Sequence, residues 1–464
     1  MIVFSVSCTK DKITQDSSSL SFSTDTVLFD TVFTKVGTAT RNFKVYNNSN
    51  KTLKISSIRL ATANSPFRIN VDGLGGKAFT DVEILPKDSI WIFVDANIDP
   101  NGGNLPLIVT DSILFETGGV TKDIDLVAWG QDAIYYRPEE YIVGIPMTVL
   151  RANTTWTKAK PIVIYGYVTV DSAFTLTIEA GTRIHFHSSS GLWIYKGAHI
   201  AVNGTKDEPV IFQGDRLEAA YKDNPGQWDR IWINAGDNAA QDNVFNYAII
   251  KNGLIGIQVE PDPFNPVAPT SPNKLILKNC IIQNHSGLGL FSRNFRIDAE
   301  NTVIANGGQY CVGINTGGEY HFNHVTIVDY FGQANRKTPA FYLSNAGQAP
   351  NGQKIIGNLV NSTFTNCIIF GSIDSEFEMG LDNAGTAVFE VKDCIIKRKD
   401  AFADSRFSSI LYNTDPKFKS TGSYDFHLLA GSPAIDKANS TLTTDLDGNS
   451  RNGIPDLGAY EFIP

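Results

Sequence analysis

The chain has 464 residues, 42% hydrophobic and 19% charged, with 48 acidic against 39 basic side chains and a formal net charge of −9. That length predicts two domains, and the low charge beside abundant Gly, Asn, Thr and aromatics predicts strands and turns rather than helices. An acidic chain with no basic stripe argues against a nucleic-acid partner, and no apolar run of about 18 residues is present to cross a membrane as a helix.

At the start, Met1-Ile-Val-Phe-Ser-Val-Ser-Cys8 is a short apolar stretch ending in small residues and a cysteine, followed by the polar run Thr9 to Ser19. It resembles the end of a bacterial lipoprotein signal peptide, with Cys8 as the lipidated residue. The missing basic segment is expected if the signal begins upstream of Met1. Residues 1–19 thus read as signal remnant, lipidation site and tether. An exported protein on the outer membrane or cell surface is implied, its only membrane contact a lipid; the periplasmic face stays open.

From residue 20 to 132, short alternating runs are separated by turn signals. Examples are Asn42-Phe-Lys-Val-Tyr46, Thr52-Leu-Lys-Ile-Ser-Ser-Ile58, Ile90-Trp-Ile-Phe-Val94 and Asp123-Ile-Asp-Leu-Val-Ala128, with turns at Asn47–Asn50, Pro86–Asp88 and Gly118-Gly119. About seven strands in this span predict an immunoglobulin-like β-sandwich without the antibody-type cysteine pair. The arrangement resembles bacterial sandwich modules of the ASPM/SPD-2/Hydin type, a likeness of fold that says little about function.

After Tyr135-Tyr-Arg-Pro138 the texture changes and repeats begin. Tyr247–Ile250, Asn279–Ile282, Asn301–Ile304, Val325–Val328, Asn366–Ile369 and Asp393–Ile396 place Ala248, Cys280, Thr302, Thr326, Cys367 and Cys394 in one column of small residues. The next column is β-branched: Ile249, Ile281, Val303, Ile327, Ile368 and Ile395. A second set, Ile231, Ile257, Leu290, Ile314 and Phe341, follows the first. The intervals imply a unit of about 22–24 residues with insertions. Such a unit cannot bury its own apolar face and must stack, giving roughly 10–12 coils and a rod of roughly 50 Å at strand spacing. Because three of the four cysteines beyond Cys8 share the repeated position, they read as packing residues, and no Cys/His spacing suits a metal.

Tyr165–Val170, Leu176–Ile184, Leu192–Gly197 and Ala201–Phe212 resemble the first coils of right-handed β-helix proteins of the pectin-lyase-like superfold, common among Bacteroidota surface lipoproteins. Ser432–Asp436, Asp445–Asn449, Arg451 and Pro455–Glu461 resemble the family's closing segment. The expected fold is all-β: an N-terminal β-sandwich (20–132), then a right-handed single-stranded parallel β-helix with a C-terminal cap (133–464), Leu457–Phe462 forming a last strand over the helix end. The resemblance leaves activity open, since lyases, hydrolases, epimerases and non-catalytic adhesins share this fold.

Insertions at Gly214–Gln227 and Tyr330–Thr338 precede second-column strands, whereas Pro261–Asn273 and Asn345–Asn358 follow them. Stacking therefore gathers loops along two edges, where function concentrates on a rigid scaffold. The first edge offers Asp215, Arg216, Tyr221, Lys222, Trp228, Asp229 and Arg230, with Arg336 and Lys337. Aromatic faces beside hydrogen-bonding groups suit a sugar, whose ring shows C–H patches between hydroxyls; the alternative is a Trp228 that caps the core among solvated charges. His185-Phe-His187 is half a metal site or two satisfied histidines. Asp445, Asp447 and Asn449 alternate around Gly448 as in a partial Ca²⁺ loop without the later bidentate Glu; alternatively they dock the tail, with Arg451 pairing to Asp456. No convergent carboxylate pair of a glycoside hydrolase is evident. The sequence thus favours a lipid-anchored protein whose β-helix binds a polysaccharide without catalysis. A polysaccharide lyase or hydrolase, and an adhesive protein with a protein partner, are the alternatives.

Overall fold

The computed structural model describes residues 12–34, 37–99, 107–239, 241–349 and 352–464; Cys8 lies outside them. The chain divides into two compact units, one of residues 1–133 with 216–219, the other of 134–215 with 220–464.

The first unit is a β-sandwich. One sheet orders Ile13–Thr14, Thr52–Leu60, Leu107–Thr117, Val120–Gln131 and Thr26–Phe33, with Ala78–Ile84 also on Thr52–Leu60. The other orders Leu20–Phe22, Arg41–Asn47, Ser89–Ala96, Phe67–Val71 and Leu74–Gly76. Alternation does the sorting, since successive side chains point to opposite faces. In Ser89–Ala96, Ile90, Ile92, Val94 and Ala96 are buried while Trp91 and Phe93 are exposed. The inward sets, with Phe43, Ile55, Phe67, Phe115 and Leu126, make one core.

The second unit is a parallel β-helix with three strands per turn. From Ile145–Leu150 on, the strands of the coils pair in parallel with the equivalent strand of the next turn, so three sheets run up this unit, while Glu140–Ile142 pairs antiparallel with Ile145–Leu150. Face I carries Tyr167–Val170, Gly191–Ile194, Ile231–Ile233, Ile255–Val259 and their successors to Phe377–Gly380. Face II carries Thr175–Glu179, His199–Asn203, Asn243–Asn246 and Leu275–Lys278. Face III carries Arg183–Phe186, Val210–Gly214, Ala248–Lys251 and Ile281–His285. Like residues stack inside the prism. Ile250, Ile282, Ile304, Ile327, Ile369 and Ile396 are all buried in the core.

The repeated tetrapeptides begin at a corner, and the backbone there is left-handed. Tyr247 (φ 45°), Asn279 (53°), Asn301 (46°), His324 (55°), Asn366 (55°) and Asp393 (51°) occupy equivalent positions. Asn and Asp tolerate this conformation because their short polar side chains bond locally, and Asn301 reaches Asn279 at 3.4 Å. This corner corrects one register. The fourth repeat starts at His324, so Val325 pairs with Thr302 and Thr326 with Val303; the expected alignment was one residue late. In the second column, likewise, Val312 rather than Ile314 pairs with Leu290 and Phe341.

The residue after each corner points into the narrow angle of the prism, where only a small side chain fits. Cys280, Cys367 and Cys394 lie there, fully buried, their thiols donating to the carbonyls of Lys278 (3.2 Å), Thr365 (3.0 Å) and Lys392 (3.2 Å). Burial pushes the Cys280 thiol up to about 12, far from the thiolate that reacts. In a Cys8→Ser chain, a thiol reagent should therefore label nothing until denaturant is added; labelling in native buffer would contradict this packing.

The β-branched column does not line the prism. Ile281, Val303, Ile368 and Ile395 point outward from face III and are covered by the C-terminal segment through Phe418, Phe426, Leu428, Ala434, Leu457 and Ala459. Leu457–Phe462 is not a strand and closes no helix end; it lies across this flank. Gly458 N–H donates to Asn366 O (2.8 Å) and Ala459 N–H to Thr326 Oγ1 (2.9 Å). Gly458 is needed for two reasons: its φ is +85°, and a Cβ would meet Thr326 Oγ1 at 2.7 Å. Arg451 anchors the flap by pairing with the Glu461 carboxylate and donating to Asn301 Oδ1 (3.0 Å) and Gly458 O (3.0 Å). The expected pairing with the Asp456 carboxylate is absent: Arg451 reaches only the Asp456 carbonyl, at 3.2 Å, while that carboxylate takes the N–H groups of Asp436 (2.8 Å) and Phe462 (2.7 Å).

Candidate functional site

Outward residues of face I form rows because parallel strands pair in register. One row runs Val149, Thr169, Trp193, Trp232, Gln258, Phe291, Gly313, Tyr342 and Glu378. Successive members lie one strand spacing apart, about 4.8 Å. Trp193 and Trp232 stack with centroids 4.6 Å apart and planes at 13°. Within the row Thr169, Trp193 and Gln258 are buried, and Trp232, Phe291, Tyr342 and Glu378 are half-buried.

A hydrogen-bonded chain of side chains flanks the row. Tyr167 OH donates to Asp229, whose other oxygen holds Arg230 in a fork (Nε 3.0 Å, Nη2 2.9 Å). Arg230 donates onward to Gln258, and its guanidinium lies 5.9 Å from the Trp232 ring centre. Gln258 Nε2 (2.6 Å) and Trp232 Nε1 (2.8 Å) both donate to Glu260 Oε1, and Arg293 Nη1 reaches Glu260 Oε2 at 3.2 Å. Trp193 Nε1 donates to Asn234 Oδ1 at 2.7 Å, and Asn234 in turn to the Glu260 carbonyl. Burial, and then the Asp229 carboxylate, push the Tyr167 phenol well above its ordinary value, so it stays a neutral donor.

The backbone explains why Asp229 and Arg230 sit here. Asp229 N–H donates to Ser190 O (2.8 Å), and the Arg230 carbonyl accepts from Leu192 N–H (3.0 Å), so both lie on the preceding coil as Ile231–Ile233 begins. The other expected site residues are elsewhere. Trp228 is inside: it stacks on Phe186 at 4.3 Å and caps the Lys251 carbonyl at 2.9 Å. Asp215 pairs with His187 at 2.7 Å. Arg216 groups with the first unit and forks onto Glu218. Tyr221 lies in a short 3₁₀ turn, where its carbonyl accepts from Gln227. Arg336 is no edge residue; it is buried against Asp329 and Glu376.

The two histidines of the Arg183–Phe186 region part company. His185 is buried with Nδ1 at 3.2 Å from Gly214 O, whereas His187 has left the strand and packs tilted against Tyr165 with ring centres 4.6 Å apart. At the Asp445–Asn449 turn, Asp445 accepts from Asn449 N–H (2.6 Å) and Glu461 N–H (2.9 Å), and Asp447 turns away to His427 Nε2 (2.8 Å). Among the described residues, no group of three or more His, Cys, Asp or Glu is placed to hold a metal ion.

Sequence reasoning missed Tyr167, Trp193, Trp232, Gln258, Glu260 and Arg293 because it sought function on inserted loops. The available signal was alternation: in Gly191–Ile194 and Ile231–Ile233 the inward positions are Leu192, Ile194, Ile231 and Ile233, so each intervening tryptophan must face out.

Chemically, the half-buried Trp232, Phe291 and Tyr342 can contact sugar rings, while Trp193, Gln258 and Glu260 are buried and hold these side chains in place. Acid–base cleavage is poorly served, because Asp229 and Glu260 are each committed to an arginine and to neutral donors, and Glu378, in the row itself, is paired with Arg398 at 3.2 Å.

A family model described as a pectate-lyase-like β-helix domain matches residues 148–246, the coils that carry Thr169, Trp193 and Trp232. No curated protein matches the chain. Among solved structures, the ASH/PapD-like domain 7 of human CEP192 is 11% identical with a TM-score of 0.18, covering 28% of this chain and 99% of its own. A family 123 glycoside hydrolase from Clostridium perfringens, studied for glycolipid glycan hydrolysis, is 10% identical with a TM-score of 0.17, covering 24% of this chain and 26% of its own. Over residues 148–246, then, the chain is similar to pectate-lyase-like β-helix domains.

Proposed function

We propose that face I binds a polysaccharide chain along its outer surface without cleaving it, on an exported protein tethered through a lipid on Cys8, with the sandwich as spacer. The observation that carries this reading is the in-register row Trp193, Trp232, Gln258, Phe291 and Tyr342 with its flanking network from Tyr167 to Arg293. A repeating ligand matches a repeating surface. Trp232, Phe291 and Tyr342 supply half-buried ring surface for C–H patches, and the buried Gln258 and Glu260 hold Arg230, Trp232 and Arg293 in place, which lowers the ordering cost of binding. The pectate-lyase-like match supports a polysaccharide-related superfold.

Titration calorimetry against neutral and acidic polysaccharides tests this, with absorbance near 235 nm and reducing ends followed in parallel. Binding without new double bonds or reducing ends is expected, and Trp232→Ala should weaken it about tenfold, the equivalent of about 1.4 kcal/mol. Turnover would instead identify a lyase or hydrolase, and failure to bind any glycan would favour a protein partner. Mass analysis of the native protein should show an acylated Cys8; an unmodified cysteine would remove the anchor.

A further inference from the structure

Beside the first coils of face I lies a cavity of about 240 Å³. We propose that it is a subsite for one methyl-bearing sugar residue, a 6-deoxyhexose or an acetylated hexose, of the chain bound along face I. The proposal rests on that reading and adds to it the class of sugar recognised.

The cavity is two-sided. Met147, Val149 and Trp193 line it from face I, the Thr169 hydroxyl turning to Met147 Sδ at 3.6 Å rather than outward. Ile142 and Val143 form one wall and Phe264, from the 261–273 insertion, contributes to another. Polar groups come from the strand ends: Arg151, forked onto Glu140 (Nη2 at 2.9 Å), with Asp171 and Tyr195. A sugar hydroxylated on every edge would leave hydroxyls against the apolar side, at about 1–3 kcal/mol for each left unpaired. One with a methyl on that edge keeps its hydroxyls for Arg151 and Asp171 and buries an apolar group.

Two further observations point to a ligand. Ile142 (41%), Val143 (75%) and Phe264 (60%) are exposed large apolar residues gathered at one opening, and such clusters mark binding sites. Val143 is also in the wrong place for its own backbone. It begins the two-residue turn between Ile142 and Ile145 with φ 51°, followed by Gly144 at 78°. That turn favours Asn-Gly, and a β-branched residue there costs about 1–3 kcal/mol. The strained position sets an isopropyl group at the rim of the cavity, where asparagine would set an amide.

The test compares two pairs of free sugars by titration against the full chain: D-fucose with D-galactose, and N-acetylglucosamine with glucose. The methyl-bearing member of at least one pair should bind about tenfold more tightly, and which pair does so tells deoxy from acetyl. Phe264→Ala should erase the preference. Val143→Asn should erase it while raising the urea midpoint, an opposition of signs that a purely structural role does not produce. Equal affinities within both pairs, no binding by any of the four, or a preference untouched by both variants would overturn the subsite. If polysaccharide binding persists in those cases, the loss falls on the subsite alone; if it too is absent, the face I reading falls as well.

Discussion

Arg336→Ala should cost the β-helix about 3–5 kcal/mol, the range for removing one partner of a buried ion pair. The Arg336 side chain is 2% exposed, and those of Asp329 and Glu376 are fully buried. Its guanidinium forks onto Glu376 (2.8 and 2.7 Å) and donates to the Asp329 carbonyl (3.0 Å). Glu376 also accepts from the N–H groups of Ala340 (2.9 Å) and Ile373 (3.0 Å), so one carboxylate ties the 330–340 insertion to the turn at 372–376. Without the arginine, a buried anion keeps its backbone donors and loses its counter-charge. Arg336→Lys should recover only part of the loss, since an ammonium cannot fork. Arg336→Met with Glu376→Gln should be milder than Arg336→Ala, because position 376 then carries no charge, although its amide oxygen can accept from only one of the two backbone N–H groups and Asp329 still loses its partner. Urea midpoints followed by tryptophan fluorescence decide the matter; a loss below about 1 kcal/mol would refute the counter-charge role.

Acidification should destabilise the β-helix between about pH 6.5 and 4. His185 and His285 are fully enclosed, and burial brings each down to about 4; burial and then Arg451 bring His324 down to about 3. His285 shows why the neutral ring is built in: its Nδ1 accepts from Gly253 N–H (3.1 Å) while Nε2 faces the Ile250 carbonyl (3.2 Å), so that tautomer satisfies both. Below the ordinary value of 6.5 the unfolded chain binds protons that the folded chain refuses, so stability falls with pH until the folded values are reached. For His285 alone the full effect is about 3 kcal/mol. Asp329 opposes it. Burial raises its carboxyl to about 7 against Arg336, so from about pH 7 down to 4 the folded chain holds a proton that the unfolded chain lacks, and stability rises. His285→Gln should therefore flatten the acid slope of the urea midpoint, and Asp329→Asn should steepen it. An unchanged slope in both variants would sink this account.

The repeats were legible because stacking demands like residues at like positions. Asn279, Asn301 and Asn366 announce corners, and Cys280, Cys367 and Cys394 announce tight interior angles. The slip at Val325–Val328 shows the limit. His324 stands where the other corners have Asn, Asp or Tyr, and a hydrophobicity pattern cannot say that a histidine has taken a left-handed position. The same limit hid the site. Trp193 and Trp232 are ordinary members of two apolar runs until the inward direction of their neighbours is known.

Sequence alone determined the all-β composition, the stacked repeat and the burial of Cys280, Cys367 and Cys394, because each follows from local alternation and period. Tertiary structure alone decided that Ile281, Val303, Ile368 and Ile395 lie beneath the C-terminal segment, that Arg336 is interior, and that Trp193, Trp232, Gln258 and Glu260 meet on one face. Those facts depend on contacts between residues tens to more than a hundred positions apart. Local pattern sets which side of a strand a residue takes, but only the folded chain sets what lies opposite it.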